Sequence, residues 1–127
     1  MKIFDPIRKI EIKATPEEKV RQALIQWFLK SHKIPLECIE VEFPVSFFQP
    51  TALGRLDILV NKKGRPWMVV EVKHQGVGYG EKESNQIIRY AKQVKSPYIL
   101  WSNGVEFLLW QYSQSKYCPI NEFPQFI

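Results

Sequence analysis

The sequence predicts an α/β fold in which helices flank a mixed central β-sheet, with elements in the order helix, three strands, helix, two strands. Three patterns carry this expectation. Apolar residues recur at helical spacing near 16–30 and 81–95, and they alternate with charged residues near 39–45. Two dense apolar runs, near 55–61 and 66–73, surround a glycine-containing turn.

The N-terminus opens with a short basic lead, Ile7 to Lys13, in which Ile10 and Ile12 alternate with charged residues. Thr15 at an N-cap, Pro16 at the first helical position and Glu17 and Glu18 in the first turn then start a helix that runs to about Lys30. Val20, Ala23, Leu24, Trp27 and Phe28 form its expected buried stripe. At roughly 100° per residue, Glu17 falls at the edge of that stripe and Glu18 points well away from it. Lys33-Ile34-Pro35 breaks the helix. Ile39, Val41, Phe43 and Val45 alternate with Glu40 and Glu42 as in a half-exposed strand, and Pro44 marks it as an edge.

The two apolar runs form a hairpin around Asn61-Lys62-Lys63-Gly64. His74 to Gly80 contains three glycines and no periodicity, which reads as a mobile loop. A second helix over about 81–95 presents Ile87, Ile88, Ala91 and Val94 to the core. Strands at Tyr98–Ser102 and Val105–Tyr112 flank Asn103-Gly104, a hairpin signal. The last ten residues carry no pattern.

The 127 residues, 45% of them hydrophobic, fit one globular domain spanning 1–127. Eighteen Lys and Arg against thirteen Asp and Glu give a net charge of +5, which favours an anionic partner such as nucleic acid without demanding one. Cys38 and Cys118 lack paired-cysteine spacing, so they are expected as reduced thiols and not as zinc ligands. No run is apolar and long enough to span a bilayer and no signal-peptide pattern is present, so the expected setting is soluble and cytoplasmic, without a membrane partner.

The informative stretch is Gly54 to Lys73. Asp57 stands near the start of the first apolar strand, and Glu71-Val72-Lys73 ends the second. Strand alternation puts Glu71 and Lys73 on one face, about 6.5–7 Å apart at their Cα atoms. A solvated cross-strand ion pair is the plain alternative. The Val, Ile and Leu neighbours instead imply central strands, where charges must pair or hold a cation. A divalent metal meets that need. Phosphodiester hydrolysis needs an activated water and stabilisation of developing charge. Hard Mg²⁺ takes few protein oxygens and keeps its waters, so Asp57, Glu71 and the Val72 carbonyl suffice. Lys73 would then face the attacking water or the scissile phosphate, and Glu17 would enlarge the metal shell from the first helix.

Asp57 followed fourteen positions later by Glu71-Val72-Lys73 resembles the signature of the PD-(D/E)xK nuclease superfamily, with Leu56 where its proline would stand. A closer resemblance is to the N-terminal nuclease domain of type I restriction enzyme R subunits. It rests on Phe4 to Lys9, Thr15 to Gln22, Arg55-Leu56-Asp57-Ile58, Val70 to Lys73, Gln86 to Tyr90 and Ser102-Asn103-Gly104, in that order. The resemblance implies a restriction-endonuclease-like sandwich and a Mg²⁺-dependent DNA endonuclease, with Mn²⁺ able to substitute. Asp57 and Glu71 would bind metal, Lys73 would be catalytic and Glu17 would assist. It also implies partners: DNA, and a motor or specificity subunit, with oligomer formation left open.

Gln86-Ile87-Ile88-Arg89-Tyr90 matches the Gln-x-x-x-Tyr motif of related nucleases. Residues i and i+4 share a helix face, so Gln86 and Tyr90 would either reach one phosphate or brace the catalytic loop, unless Tyr90 simply packs beside Ile87 and Val94. Arg89 would contact backbone phosphate or only solubilise. His74 turns to the face opposite Lys73, and His32 ends the first helix, where a cation is favoured by the dipole. Trp67, Trp101 and Trp110 read as core or interface residues. Arg8, Lys9, Lys13, Lys62, Lys63 and Arg65 would line a DNA path or serve solubility. The competing function is a catalytically weak or inactive nucleic-acid-binding or assembly module of the same fold; an RNA-directed nuclease is a third reading.

Overall fold

The computed structural model describes residues Met1–Ile127. A hairpin of β1 (Lys2–Asp5) and β2 (Ile10–Lys13) precedes α1 (Pro16–Lys30). Next come β3 (Ile39–Pro44), β4 (Arg55–Lys62) and β5 (Arg65–Val72), with short 3-10 turns at Leu36–Cys38 and Val45–Phe47. Then α2 (Glu81–Val94) leads to β6 (Tyr98–Ser102), β7 (Phe107–Ser113) and β8 (Lys116–Ile120). The fold is mixed α/β. Its main sheet has six strands in the order β3-β4-β5-β6-β7-β8, and β1-β2 form a separate pair. β5 and β6 run parallel, because α2 carries the chain back across the sheet between them; the other neighbours are antiparallel.

Each helix covers one sheet face. Val20, Leu24, Ile25 and Phe28 of α1 pack with Ile58, Val60, Met68, Val70, Val72 and Leu100. Ile87, Tyr90, Ala91 and Val94 of α2 pack with Leu56, Leu59, Val69 and Ile99 on the other face. β4 and β5 are therefore interior strands covered on both faces, and this is why they read as continuous apolar runs. No helix is long and apolar enough to cross a membrane.

Four departures from the sequence expectation have identifiable causes. First, the main sheet gains β8. Its turn places Gln114 and Ser115 at φ 53° and 69°, a two-residue hairpin turn built without glycine, so the usual Asn-Gly or Asp-Gly signal is missing. Second, Asn103-Gly104 opens a four-residue connection, since Ser102 pairs with Phe107 and β7 starts two residues later than expected. Asn103 Oδ1 accepts from the Val105 and Glu106 amides, which sets that wider turn. Third, the lead forms the β1-β2 hairpin, and its turn covers a second side of α1. Glu18 is consequently buried and Ala23 is exposed, the reverse of the periodic reading. Fourth, the patternless C-terminus is an aromatic cover: Phe123 stacks on His32 at 3.9 Å between ring centroids and meets Trp27 edge-on, while Phe126 meets Trp67. Burial there pulls His32 below the ordinary histidine pKa, which works against the cation expected at the end of α1.

α2 fastens the chain entering β4. The Tyr90 ring is buried and its hydroxyl lies against Gly54, where an added Cβ would fall 2.0 Å from the Tyr90 oxygen. Gly54 also has φ +100°, a backbone that other residues adopt with strain. Gly54→Ala is expected to destabilise the fold by about 2 kcal/mol or more, since it strains the backbone and overpacks Tyr90 together. Chemical denaturation measures this, and an unchanged midpoint would refute it.

Candidate metal centre

β4 and β5 bring two acids together. Ile58 pairs with Val70, so Asp57 and Glu71 stand one step further along the same antiparallel pair and face each other. Asp57 Oδ2 accepts from the Val72 amide at 2.7 Å. Lys73 follows Glu71 on the same face, and its Nζ is 3.3 Å from Glu71 Oε1. Asp57, Glu71 and Lys73 thus meet at one end of two interior strands, where Glu71 is only 7% exposed.

The electrostatics record how crowded this is. Burial, followed by the Glu71 charge, pushes Asp57 up to about 7, against the opposing pull of the Val72 amide and Arg21. Burial also raises Glu71, although Lys73 works against it. Partial burial would lower Lys73, but Glu71, and beyond it Asp57 and Glu17, outweigh that effect and hold its ammonium above the ordinary lysine value. One cation between two carboxylates leaves a negative excess. Without a metal, a proton on the pair relieves it.

The other expected site residues fall into three groups. Glu17, in the first turn of α1, is near enough for its charge to act on Asp57, Glu71 and Lys73. No three acidic, histidine or cysteine side chains converge as a metal-ligand set, so the structure gathers two carboxylates and leaves Glu17 outside. Val72 contributes its amide to Asp57, on the strand that carries Glu71. Gln86 Nε2 donates to the Tyr90 hydroxyl at 3.0 Å, and Tyr90 packs on Gly54, so this pair braces the approach to Asp57 and makes no hydrogen bond to either carboxylate. His74 lies outside, exposed, its Nδ1 accepting from the Gly76 amide. Arg89 sits over the Tyr90 ring at 5.4 Å.

Two of the expected DNA-path cations are committed elsewhere. Arg8 pairs with Asp5 and with Glu18, and Lys62 lies 5.8 Å over the Phe126 ring. Lys62, Lys63 and Arg65 also occupy the far end of the β4-β5 hairpin, about 16 Å along the strand from Asp57.

Two residues of the surroundings escaped the sequence reading. Arg21 is buried between Glu18 and Glu42 and donates to the Asp57 carbonyl at 3.1 Å. Asn103, also buried, donates to the Val77 carbonyl at 2.8 Å and so anchors the irregular 74–80 stretch. Both lie in stretches already noted, Thr15 to Gln22 and Ser102 to Gly104, but nothing in their spacing marks these contacts.

A pH dependence follows from the raised acids. The folded state holds the Asp57 proton more tightly than the unfolded chain, so this group's contribution is fullest below 3.8 and declines as pH rises towards about 7. Asp57→Asn keeps an acceptor for the Val72 amide and removes the charge. In metal-free buffer it is expected to exceed wild type by about 1–2 kcal/mol near pH 8, with the gap narrowing as pH falls below about 7 and closing near 3.8. Thermal melts in EDTA across that range measure it; a pH-independent gap would contradict the electrostatic origin.

The comparisons with known proteins point in one direction. No curated protein and no solved structure matches the chain. A family model described as type I restriction enzyme R protein N terminus matches residues 16–124, which contain both helices, the whole six-stranded sheet and the Asp57-Glu71-Lys73 cluster. The chain therefore belongs to the type I restriction enzyme R protein N-terminal family.

Proposed function

We propose that this domain is a Mg²⁺-dependent DNA endonuclease module that hydrolyses phosphodiester bonds, with the restriction-endonuclease-like sandwich and PD-(D/E)xK site of that superfamily. The observation that carries the proposal is the meeting of Asp57, Glu71 and Lys73 at the buried end of two interior strands. A purely structural trio would neutralise itself, whereas this one leaves a carboxylate in excess. Family membership gives the arrangement a restriction-related context.

The donor set suits a hard divalent ion. Two adjacent carboxylates and the Val72 carbonyl are oxygen ligands of the kind Mg²⁺ takes while keeping its waters, and Mn²⁺ accepts the same set. When bound, the ion supplies charge to the phosphoryl oxygens and acidity to the attacking water. The protein's own groups do the rest. The Val72 amide fixes Asp57 Oδ2, so that carboxylate needs little reorganisation. Lys73 keeps its proton and directs Nζ beside Glu71, where it would orient the nucleophile or stabilise developing charge. Glu17 adds negative potential from α1, and Gln86 with Tyr90 steadies the segment leading into Asp57.

Substrate DNA would be held largely by other parts of an assembly, such as a motor or specificity subunit in the cytoplasm. Arg8 and Lys62 are occupied within the fold, which favours weak DNA affinity by this domain alone.

Conversion of supercoiled plasmid to nicked circles, with Mg²⁺ or Mn²⁺ and with RNA in parallel tubes, tests the activity. Wild type is expected to nick DNA in either metal, and Asp57→Ala and Lys73→Ala to lose about 100-fold or more. Equal behaviour of all three proteins in every metal would refute catalysis and leave the nucleic-acid-binding alternative. Mg²⁺ is also expected to raise the melting temperature of wild type but not of Asp57→Asn.

A further inference from the structure

We propose that Arg21 is a positioning residue, which holds the main chain of Asp57 at an interruption of the β3-β4 ladder; the inference rests on reading Asp57 and Glu71 as metal-binding carboxylates. Val41 pairs with Ile58 and Phe43 with Leu56, but Glu42 between them has a left-handed backbone, φ 52°, and no paired partner opposite Asp57. Carbonyls at such a break need other donors. Two arginines supply them. Arg21 Nη1 donates to the Asp57 carbonyl at 3.1 Å, and Arg55 Nη1 donates to the Glu42 carbonyl at 2.7 Å.

Arg21 is itself tightly held. It is 5% exposed, its Nη1 also donates to Glu42 Oε1 at 2.6 Å, and its Nε lies 3.1 Å from Glu18 Oε2. Glu18 in turn accepts from Arg8 Nη2 at 3.0 Å, and Arg8 pairs with fully buried Asp5. The guanidinium is thus the end of a charged chain that runs from the N-terminal hairpin through α1 to the backbone of the site. Asp57 is clamped twice: its carboxylate by the Val72 amide and its carbonyl by Arg21. A lysine ammonium is a point donor and does not reproduce the planar fork that spans Glu18, Glu42 and the carbonyl.

The test reads Asp57 placement and metal affinity separately. Native-state hydrogen exchange of the Val72 amide, without metal, reports its bond to Asp57, with the Val70 and Leu100 amides reporting general stability. In Arg21→Lys and Arg21→Met, Val72 exchange is expected to accelerate by about tenfold beyond the change at those core amides, the scale of one lost hydrogen bond. Mn²⁺ affinity by calorimetry is expected to fall by about 10- to 100-fold, as for other outer supports of metal ligands. Glu42→Gln, which keeps the guanidinium and its donation to Asp57, is expected to leave Val72 in step with the core. If Val72 also moves only in step with the core in Arg21→Lys, the positioning role is wrong and Arg21 is merely structural. If wild type binds no Mn²⁺ while Val72 still responds to Arg21→Lys, the metal reading fails and the positioning role stands.

Discussion

Two carboxylates side by side at the end of an interior strand pair are the constraint on which the local structure depends. Burial alone disfavours each charge, and proximity adds repulsion. A surface hairpin would relieve both through solvent. Here α1 and α2 cover opposite faces of the sheet, and β4 and β5 each have a strand on either side, so solvent relief is limited. Lys73 offsets part of the excess, and the remainder is left for a proton or a cation. A fold built only for stability would place an apolar pair there, so the two acids cost stability that the proposed metal site would account for.

The surroundings of Asp57 are organised to withstand that strain. Asp5, Glu18 and Glu42 alternate with Arg8 and Arg21, so that each buried charge has an opposite neighbour. Such pairs add little net stability relative to an apolar core, but removing one partner leaves its mate uncompensated, which makes the arrangement rigid in composition. The N-terminal hairpin is therefore tied to the site without touching it. Asn103 does a comparable service on the other side, tying residue 77 to the β6-β7 turn just beyond Lys73, whose amide donates to Ser102.

What was legible in the sequence was what short-range periodicity encodes. Alternation placed Glu71 and Lys73 on one face, but Asp57 comes opposite Glu71 only because a bulge at Trp67 shifts the register set by the Lys63-Gly64 turn by one residue, and periodicity does not encode that shift. The helical repeat likewise put Gln86 and Tyr90 together, and they do bond to each other. The target of that pair, Gly54, lies outside any repeat, so the sequence left its role open. Glu18 and Arg21 were illegible for the same reason: helical spacing records which face meets the sheet and is silent about a covering hairpin. β8 escaped because its turn reaches the left-handed region with Gln114 and Ser115, residues that carry no turn signature.

The division between site and substrate path follows from the same geometry. Cations near the carboxylates serve them: Lys73 pairs with Glu71, Arg21 supports Asp57 and Arg8 supports Glu18. Lys63 and Arg65, exposed in the β4-β5 turn, stand at the opposite end of the strands, too distant to act on a phosphate beside Asp57 within a Debye length of about 8–10 Å. Of the cations expected along a DNA path, Lys62, Lys63 and Arg65 thus stand away from Asp57, and Arg8 is paired with Asp5 and Glu18. Under the proposed function, the pair of acids would contribute charge and geometry rather than grip. On that proposal, delivery of the DNA strand to Lys73, and not its recognition, is what a partner would supply.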